Sequence, residues 1–432
     1  MLRSKLSLLS RAFKYRNYRL FFAGQCVSLI GTWMQTVALS WLIYRLTGSP
    51  LLLGVAGFAA QAPSLLLAPF TGPAADRFER RRILLVTQSL AMLQALALAA
   101  LVLFGDPRPW QIIALASVLG VISAFDMPAR QSFIVQLVER REDLANAIAL
   151  NSSMFNSARL IGPSIAGIFI AAFGEGVCFL FNGLSYIGVI AALLAIRLPA
   201  APAAARRGRG TFKEGLRYAF GFPPIRYLIL MLAVGSLLGM PYAVLMPAYA
   251  RDILHGGPRT LGFLMAAAGV GALTGALRLA LRRDPAGLER QIPLFTFIFG
   301  AGLVAFSFST EFALSVPLLA LTGYGMVSFF ASSNTVIQTL VDDDKRGRVM
   351  ALHSLAFMGM APLGSLLAGV VANHIGVART MTASGLCVLA ATLAFASRMG
   401  EITAHAAPVY GRQGLGAVAA GELEDAEAAR PV

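Results

Sequence analysis

Charge is what this chain has least of. Only 13% of its 432 residues are Asp, Glu, Lys or Arg, against about 25% in an average soluble domain, and that deficit excludes an ordinary water-soluble enzyme. Acid is scarcer than base, with 21 Asp and Glu against 36 Lys and Arg and a formal net charge of +15. Cysteine is rarer still. Cys26, Cys178 and Cys387 lie far apart and inside apolar stretches, so neither a disulfide framework nor a zinc cluster is expected, and no other metal site. The sequence carries no glycine-rich phosphate loop, which excludes ATP hydrolysis by this chain, and no cofactor is expected.

What is abundant is apolar: 57% of the residues are hydrophobic, with a mean hydropathy of +0.70. Roughly 20 apolar residues cross the hydrocarbon core of a bilayer. Windows of that length fall at 20–44, 51–74, 83–104, 110–134, 145–173 and 177–197, then at 226–250, 260–280, 291–309, 312–338, 348–375 and 379–397. With the N-terminus inside, about 29 of the 36 basic residues fall on the inner face and about five on the outer, the positive-inside pattern. The basic balance thus marks a lipid bilayer partner and not nucleic acid. An even number of spans puts both termini in the cytoplasm. The first window is too long for a signal-peptide core and is expected to be retained.

Near the middle, 198–224 turns rich in Pro, Ala, Gly and Arg and includes a short amphipathic piece, Phe212–Phe220. The expected division is a six-helix bundle over 1–200, a cytoplasmic linker over 201–225, a second six-helix bundle over 226–400 and a disordered tail over 401–432. Internal duplication supports two halves. Ala149-Leu150-Asn151-Ser152 matches Ala351-Leu352-His353-Ser354, and Gly162, Gly167 and Gly174 match Gly364, Gly369 and Gly376 in the same register. Parallel repeats around a shared substrate site are one plan of secondary transporters.

The most charged stretch is Gly72-Pro73-Ala74-Ala75-Asp76-Arg77-Phe78-Glu79-Arg80-Arg81-Arg82, a short link between the second and third windows. Gly72 allows close backbone approach, and Asp76 can accept from a helix N-terminus, such as that of the eleventh span near Arg348. Such a contact would exist only while the inner gate is closed. The alternative is that the arginines merely fix topology. Gly72, Asp76, Arg77, Arg80 and Arg81 resemble the loop signature of the major facilitator superfamily, with Glu79 where that pattern usually has a second glycine. The resemblance, over roughly 15–400, implies an all-α membrane protein of twelve transmembrane helices in two pseudo-symmetric bundles, working as a transporter. It also implies that Arg282-Arg283-Asp284 is a degenerate echo of the loop in the second half.

In the fifth window, Gly162, Pro163 and Gly167 combine a possible bend with close helix contact. They are similar to the fifth-span motif of the superfamily's exporters, although Ala158 and Ala166 replace glycines of the fuller pattern; ordinary helix packing is the alternative. Asp126, Arg130 and Arg159 sit at membrane depth, where an ion costs at least about 2.5 kcal/mol. Asp126 lies roughly 24 Å beyond Trp110 and is a candidate proton carrier, or simply the i,i+4 partner of Arg130. Arg159 is a candidate counter-ion or anion ligand. Gln25, Trp33, Gln61, Asn151, Tyr242, Asn334 and His353 are candidates to line a cavity or to bond between helices.

Asp126-Met127-Pro128-Ala129-Arg130-Gln131 and Arg346-Gly347-Arg348-Val349-Met350 resemble the branch of the superfamily that contains the enterobactin exporter and macrolide-efflux proteins. The implied function is proton-coupled efflux of a small molecule, a siderophore or an amphipathic drug, from the bacterial inner membrane by a chain expected to act as a monomer. An uptake carrier, a lysophospholipid-moving transporter and a non-transporting receptor are the alternatives.

Overall fold

The computed structural model describes residues 11–197, 212–282 and 284–415; the side chains of 69, 72–76, 141, 212 and 213 lie outside that description. Among the described residues, twelve helices are long and apolar enough to cross a membrane. In order they are Arg16–Thr47, Pro50–Ala68, Arg80–Phe104, Pro109–Leu137, Glu142–Phe173 and Glu175–Ala195, then Pro223–Ile253, Pro258–Ala280, Leu288–Ser307, Phe312–Leu340, Arg346–Ile375 and Val377–Ala396. Each matches one of the twelve windows in the sequence. The helix is forced, because a backbone in hydrocarbon must satisfy its own hydrogen bonds. Pro50, Pro109, Pro223 and Pro258 open four of these helices, where a missing N–H costs nothing. Twelve crossings return the chain to the face where it began, here called the terminal face; the other is the far face.

Two segments depart from expectation. The charged link after the second span is almost all helix: the helix runs on to Arg77 and a new one starts at Arg80. The tail is not structureless from 401, because Met399–Arg412 is helical. Ile402, Ala406 and Tyr410 recur at four-residue spacing and are all buried, so one narrow apolar stripe orders a segment whose composition points to disorder. The remainder, 416–432, lies outside the described residues.

The chain divides into two compact units. The first comprises Met1–Arg206, Ala243–Ala266 and Ser365–Val377, so the far-face ends of the seventh, eighth and eleventh spans group with the first six. Inside it the first span packs on the fifth and sixth, the second on the fourth, and the third on the fourth and sixth. A buried amide chain ties them together. Gln35 donates to Gln94 (3.0 Å), Gln94 donates to the Leu115 carbonyl (3.0 Å) and Asn182 donates to Gln35 (2.8 Å).

The internal repeat reappears as matched contacts in this unit. A Cβ on Gly262 would lie 2.9 Å from Gly167 Cα and 2.6 Å from the Pro163 carbonyl oxygen. The corresponding residues of the other pair, Gly54, Gly369 and Ser365, meet in the same way. The fifth and eleventh spans also end alike, at Gly174 (φ 81°) and Gly376 (φ 87°), a conformation that favours glycine.

The second unit comprises Arg207–Tyr242, Ala267–Gly364 and Ala378–Val432. Its ninth span packs on the tenth. The seventh and eleventh spans each carry a π-helical turn, Gly235–Gly239 and Leu355–Gly359. Ser236 Oγ donates to the Phe357 carbonyl, joining the two turns. On the terminal face, the linker helix Phe212–Gly221 is held by Arg348 to Glu214 (2.9 Å) and by Tyr218 to Asp342 (3.1 Å). The tail helix is held by Tyr410 donating to the buried Glu289 (2.9 Å) and by Tyr227 donating to Glu401 (3.0 Å).

Candidate functional site

The charged link comes first. The side chains of Gly72 and Asp76 lie outside the described residues, so the proposed acceptor has no geometry here. Arg77 is exposed and lies over the Phe78 ring, while Arg82 pairs with Glu79 at 2.7 Å. Arg80 is half-buried. Arg81 is different. Its Nε and a terminal nitrogen donate to the Leu193 and Leu194 carbonyls at 2.7 and 2.9 Å. Those carbonyls end the sixth span, where a cation also suits the helix dipole. Arg81 therefore braces the third span against the sixth within one unit. Arg348, expected near the partner of Asp76, is engaged by Glu214.

Asp126 is buried and accepts from three side chains. Thr87 Oγ1 (2.9 Å) and Gln88 Nε2 (2.7 Å) reach Oδ1 from the third span, and Arg130 one turn on bonds Oδ2. The i,i+4 pair read in the sequence is present. Thr87 and Gln88 were not foreseen; two polar residues side by side in an apolar span were the available signal.

In the fifth span, helix continues through Pro163 from Arg141 to Phe173. Gly162 gives way to Trp33, whose Cβ would lie 2.5 Å from an added methyl. Trp33 in turn meets Phe155 edge-on at 5.9 Å. The Arg159 guanidinium sits 5.8 Å above the Trp33 ring, a cation–π arrangement. Among the described residues no carboxylate pairs with Arg159. Next to it along the same helix, Ser152, Ser153, Asn156 and Ser157 are exposed and Asn151 is half-buried. Exposed polar side chains midway along a span belong to a wet path more readily than to lipid.

The remaining candidates separate. Gln25 is buried, and its amide nitrogen has no partner among the described residues. Exposed Gln61 donates to the Gly57 carbonyl of its own helix (3.1 Å), and Asn334 accepts from Gln338 (3.1 Å). Tyr242 is buried at the end of the second unit's share of the seventh span. His353 is half-buried, 6.4 Å from the Phe357 ring, and its Nε2 has no partner among the described residues.

The sequence reading missed a far-face cluster in the first unit. Tyr44 donates to Asp252, and Arg251 lies over the Tyr44 ring and reaches the Tyr44 and Arg45 carbonyls at 3.4 and 3.5 Å. Arg45 makes a two-pronged bond to the buried Glu175, at 2.7 and 3.2 Å. The first, sixth and seventh spans are thereby tied at that face. Charges flanking each apolar window were the signal.

Comparison with known proteins bears on the whole chain. The model of a family described as transmembrane secretion effector matches residues 10–409. A staphyloferrin A transporter of Staphylococcus aureus is 26% identical over 382 residues, spanning 87% of this chain and 94% of the relative. The multidrug efflux pump Tap of Mycolicibacterium fortuitum is 27% identical, over 88% and 95% of the two chains. Among solved structures, a POT family transporter in complex with 5-aminolevulinic acid superposes with a TM-score of 0.69 at 11% identity, covering 90% of this chain and 97% of that one; this likeness is one of fold.

Proposed function

We propose, for a chain that belongs to the transmembrane secretion effector family of the major facilitator superfamily, the work of an exporter that carries an anionic, amphipathic small molecule out of a bacterial cell across its inner membrane. The observation that carries this reading is Arg159: a cation midway along the fifth span, stacked on Trp33 and without an acid partner among the described residues. An uncompensated charge at that depth is expensive unless water or a ligand meets it. The aromatic pair Trp33–Phe155 supplies apolar surface beside it. Relatives that move a siderophore or drugs fit the same chemistry.

In this reading both termini are cytoplasmic, and residues 1–200 and 226–400 rock around a central site. The far-face ties of Tyr44 with Asp252 and of Gly54 with Gly369 break as that face opens. Proton exchange drives the cycle. Asp126 has both oxygens occupied by Thr87, Gln88 and Arg130, whereas His353 has a ring nitrogen to spare, so proton exchange is assigned to His353.

The test is flux in proteoliposomes under an imposed pH gradient, with siderophores, macrolides and lysophospholipids as substrates. Arg159→Gln should raise KM for an anionic substrate about ten-fold or more while leaving a neutral one unaffected. His353→Gln should abolish acceleration by the gradient but leave downhill flux. Equal gradient response in His353→Gln and the parent would remove the proton assignment, and unchanged KM in Arg159→Gln would remove the anion site.

A further inference from the structure

A cavity of about 240 Å³ lies between the eighth, ninth and tenth spans, wholly within the second unit. A water occupies roughly 30 Å³, so the space holds several waters or one polar headgroup. It lies toward the terminal face: Arg278 is in the last turn of the eighth span, Arg282 just beyond that span and Gln291 in the first turn of the ninth. Ser328 and Ser332 line it from the tenth span.

The basic groups are held in position without being neutralised by their partners. Arg278 donates to the Tyr324 hydroxyl (2.9 Å) and to Gln291 Oε1 (3.3 Å), and its guanidinium lies 5.0 Å from the Phe295 ring centre. None of these partners is charged. Arg282 donates to the Asp284 and Ala286 carbonyl oxygens, each at 2.6 Å. Two acids close to Arg282 in sequence, Asp284 and Glu289, accept hydrogen bonds from other groups. Asp284 Oδ1 accepts the Ala286 N–H (2.8 Å), and Glu289 accepts the Tyr410 hydroxyl (2.9 Å).

The hydroxyls supply an independent observation. Ser328 and Ser332 are buried, and neither Oγ has a hydrogen-bond partner among the described residues. Thr322, Thr335 and Thr339 on the same span all donate to the carbonyl four residues back, at 2.8, 3.0 and 2.9 Å, whereas Ser333, which does not line the cavity, shares with Ser328 and Ser332 the lack of a partner among the described residues. A buried hydroxyl without a partner is unfavourable. The space over one of them is kept open by Gly275, where a Cβ would lie 2.6 Å from Ser328 Oγ.

We infer that this cavity is a binding site for a phosphate group. Two guanidinium groups supply charge and forked donors, and two hydroxyls and the Gln291 amide supply further donors from different helices. A carboxylate offers two oxygens in one plane, which Arg278 alone would satisfy. Donors converging from three helices suit a tetrahedral oxyanion. Two sources carry that chemistry: an anionic phospholipid in the adjacent leaflet, for which basic pockets between membrane helices are a known kind of host, and free inorganic phosphate. Leu281, 82% exposed at the rim, gives an acyl chain apolar surface to lie on.

The experiment uses the full chain in detergent, with thermal unfolding followed during separate titrations of phosphatidylglycerol, a phosphate-free glycolipid and inorganic phosphate. Phosphatidylglycerol should stabilise saturably, with affinity about ten-fold weaker in Ser328→Ala/Ser332→Ala and in Arg278→Gln, and unchanged in the exposed control Arg398→Gln. The serine variant removes two unpartnered hydroxyls and so should fold. Saturable stabilisation by inorganic phosphate, weakened by the same variants, upholds the site and identifies the free ion as its source. Equal stabilisation by the glycolipid, parent-like affinity in the variants, or no saturable response to either phosphate source overturns the inference.

Discussion

Gly54 and Gly369 touch backbone to backbone: a methyl group on Gly369 would lie 2.7 Å from Gly54 Cα and 2.9 Å from the Pro50 carbonyl oxygen. No side-chain rotation relieves that clash, so the helices must part. Gly369→Ala should therefore cost about 1–3 kcal/mol and lower the unfolding midpoint in detergent. At Gly188 nothing lies within 4 Å of an added carbon, and alanine there should hold or raise the midpoint. A Gly369→Ala midpoint equal to the parent's would remove the contact from the account.

The far-face tie between Tyr44 and Asp252 joins the first and seventh spans, 208 residues apart in sequence. A double-mutant cycle with Tyr44→Phe and Asp252→Asn should give a coupling of about 1–3 kcal/mol. Each single variant should also make cysteines placed at the far-face ends of these spans label faster. Additive effects and unchanged labelling would reduce the pair to a surface hydrogen bond.

Asp126, buried, and Arg130, half-buried, form a pair whose halves need each other. Asp126→Asn alone leaves the guanidinium without its carboxylate and should cost about 3–5 kcal/mol, read as lost thermal stability and yield. Replacing both, as Asp126→Asn with Arg130→Gln, should recover much of that loss. If the double variant is no better than the single, the partnership is not what the site supplies.

Tyr410 gives a test at alkaline pH. Burial, and next the Glu289 carboxylate beside it, hold its hydroxyl above the ordinary value of 10.0. The folded chain therefore keeps this proton where the unfolded chain gives it up, and the stabilisation is complete below pH 10 and declines as pH rises beyond it. Tyr410→Phe should flatten part of that alkaline decline. It also leaves buried Glu289 without its donor, at a cost of about 1–3 kcal/mol. Urea midpoints measured from pH 8 to pH 11 would show both effects.

Much of this molecule was legible in the order of its residues. Membrane crossings are dictated by apolar length, and that signal is local. The repeat was legible for a related reason: Gly167 and Gly369 must be small because backbone faces them, so their register survived in both halves. The i,i+4 pair of Asp126 and Arg130 is also local. What stayed hidden was contact between distant segments. Nothing near Asp126 points to Thr87 and Gln88 on another helix, and nothing near Tyr44 points to Asp252. The tail helix was missed because its buried stripe has only Ile402 and Tyr410 as large members, too few to stand out amid alanine and glycine. Its anchor, Glu289, lies 121 residues upstream of Tyr410.

The wide turns at Gly235–Gly239 and Leu355–Gly359 bear on how their helices can be numbered. An ordinary helix advances about 100° per residue, and a π turn takes up one residue more. Beyond such a turn the winding phase is offset by about 100°, so a helical wheel drawn through the whole seventh span puts Tyr242 and its neighbours on the wrong azimuth. Each helix is in phase only between such turns, and the seventh span has a further one at Tyr249–Ile253, so a substitution scan along either helix will show stripes that do not line up.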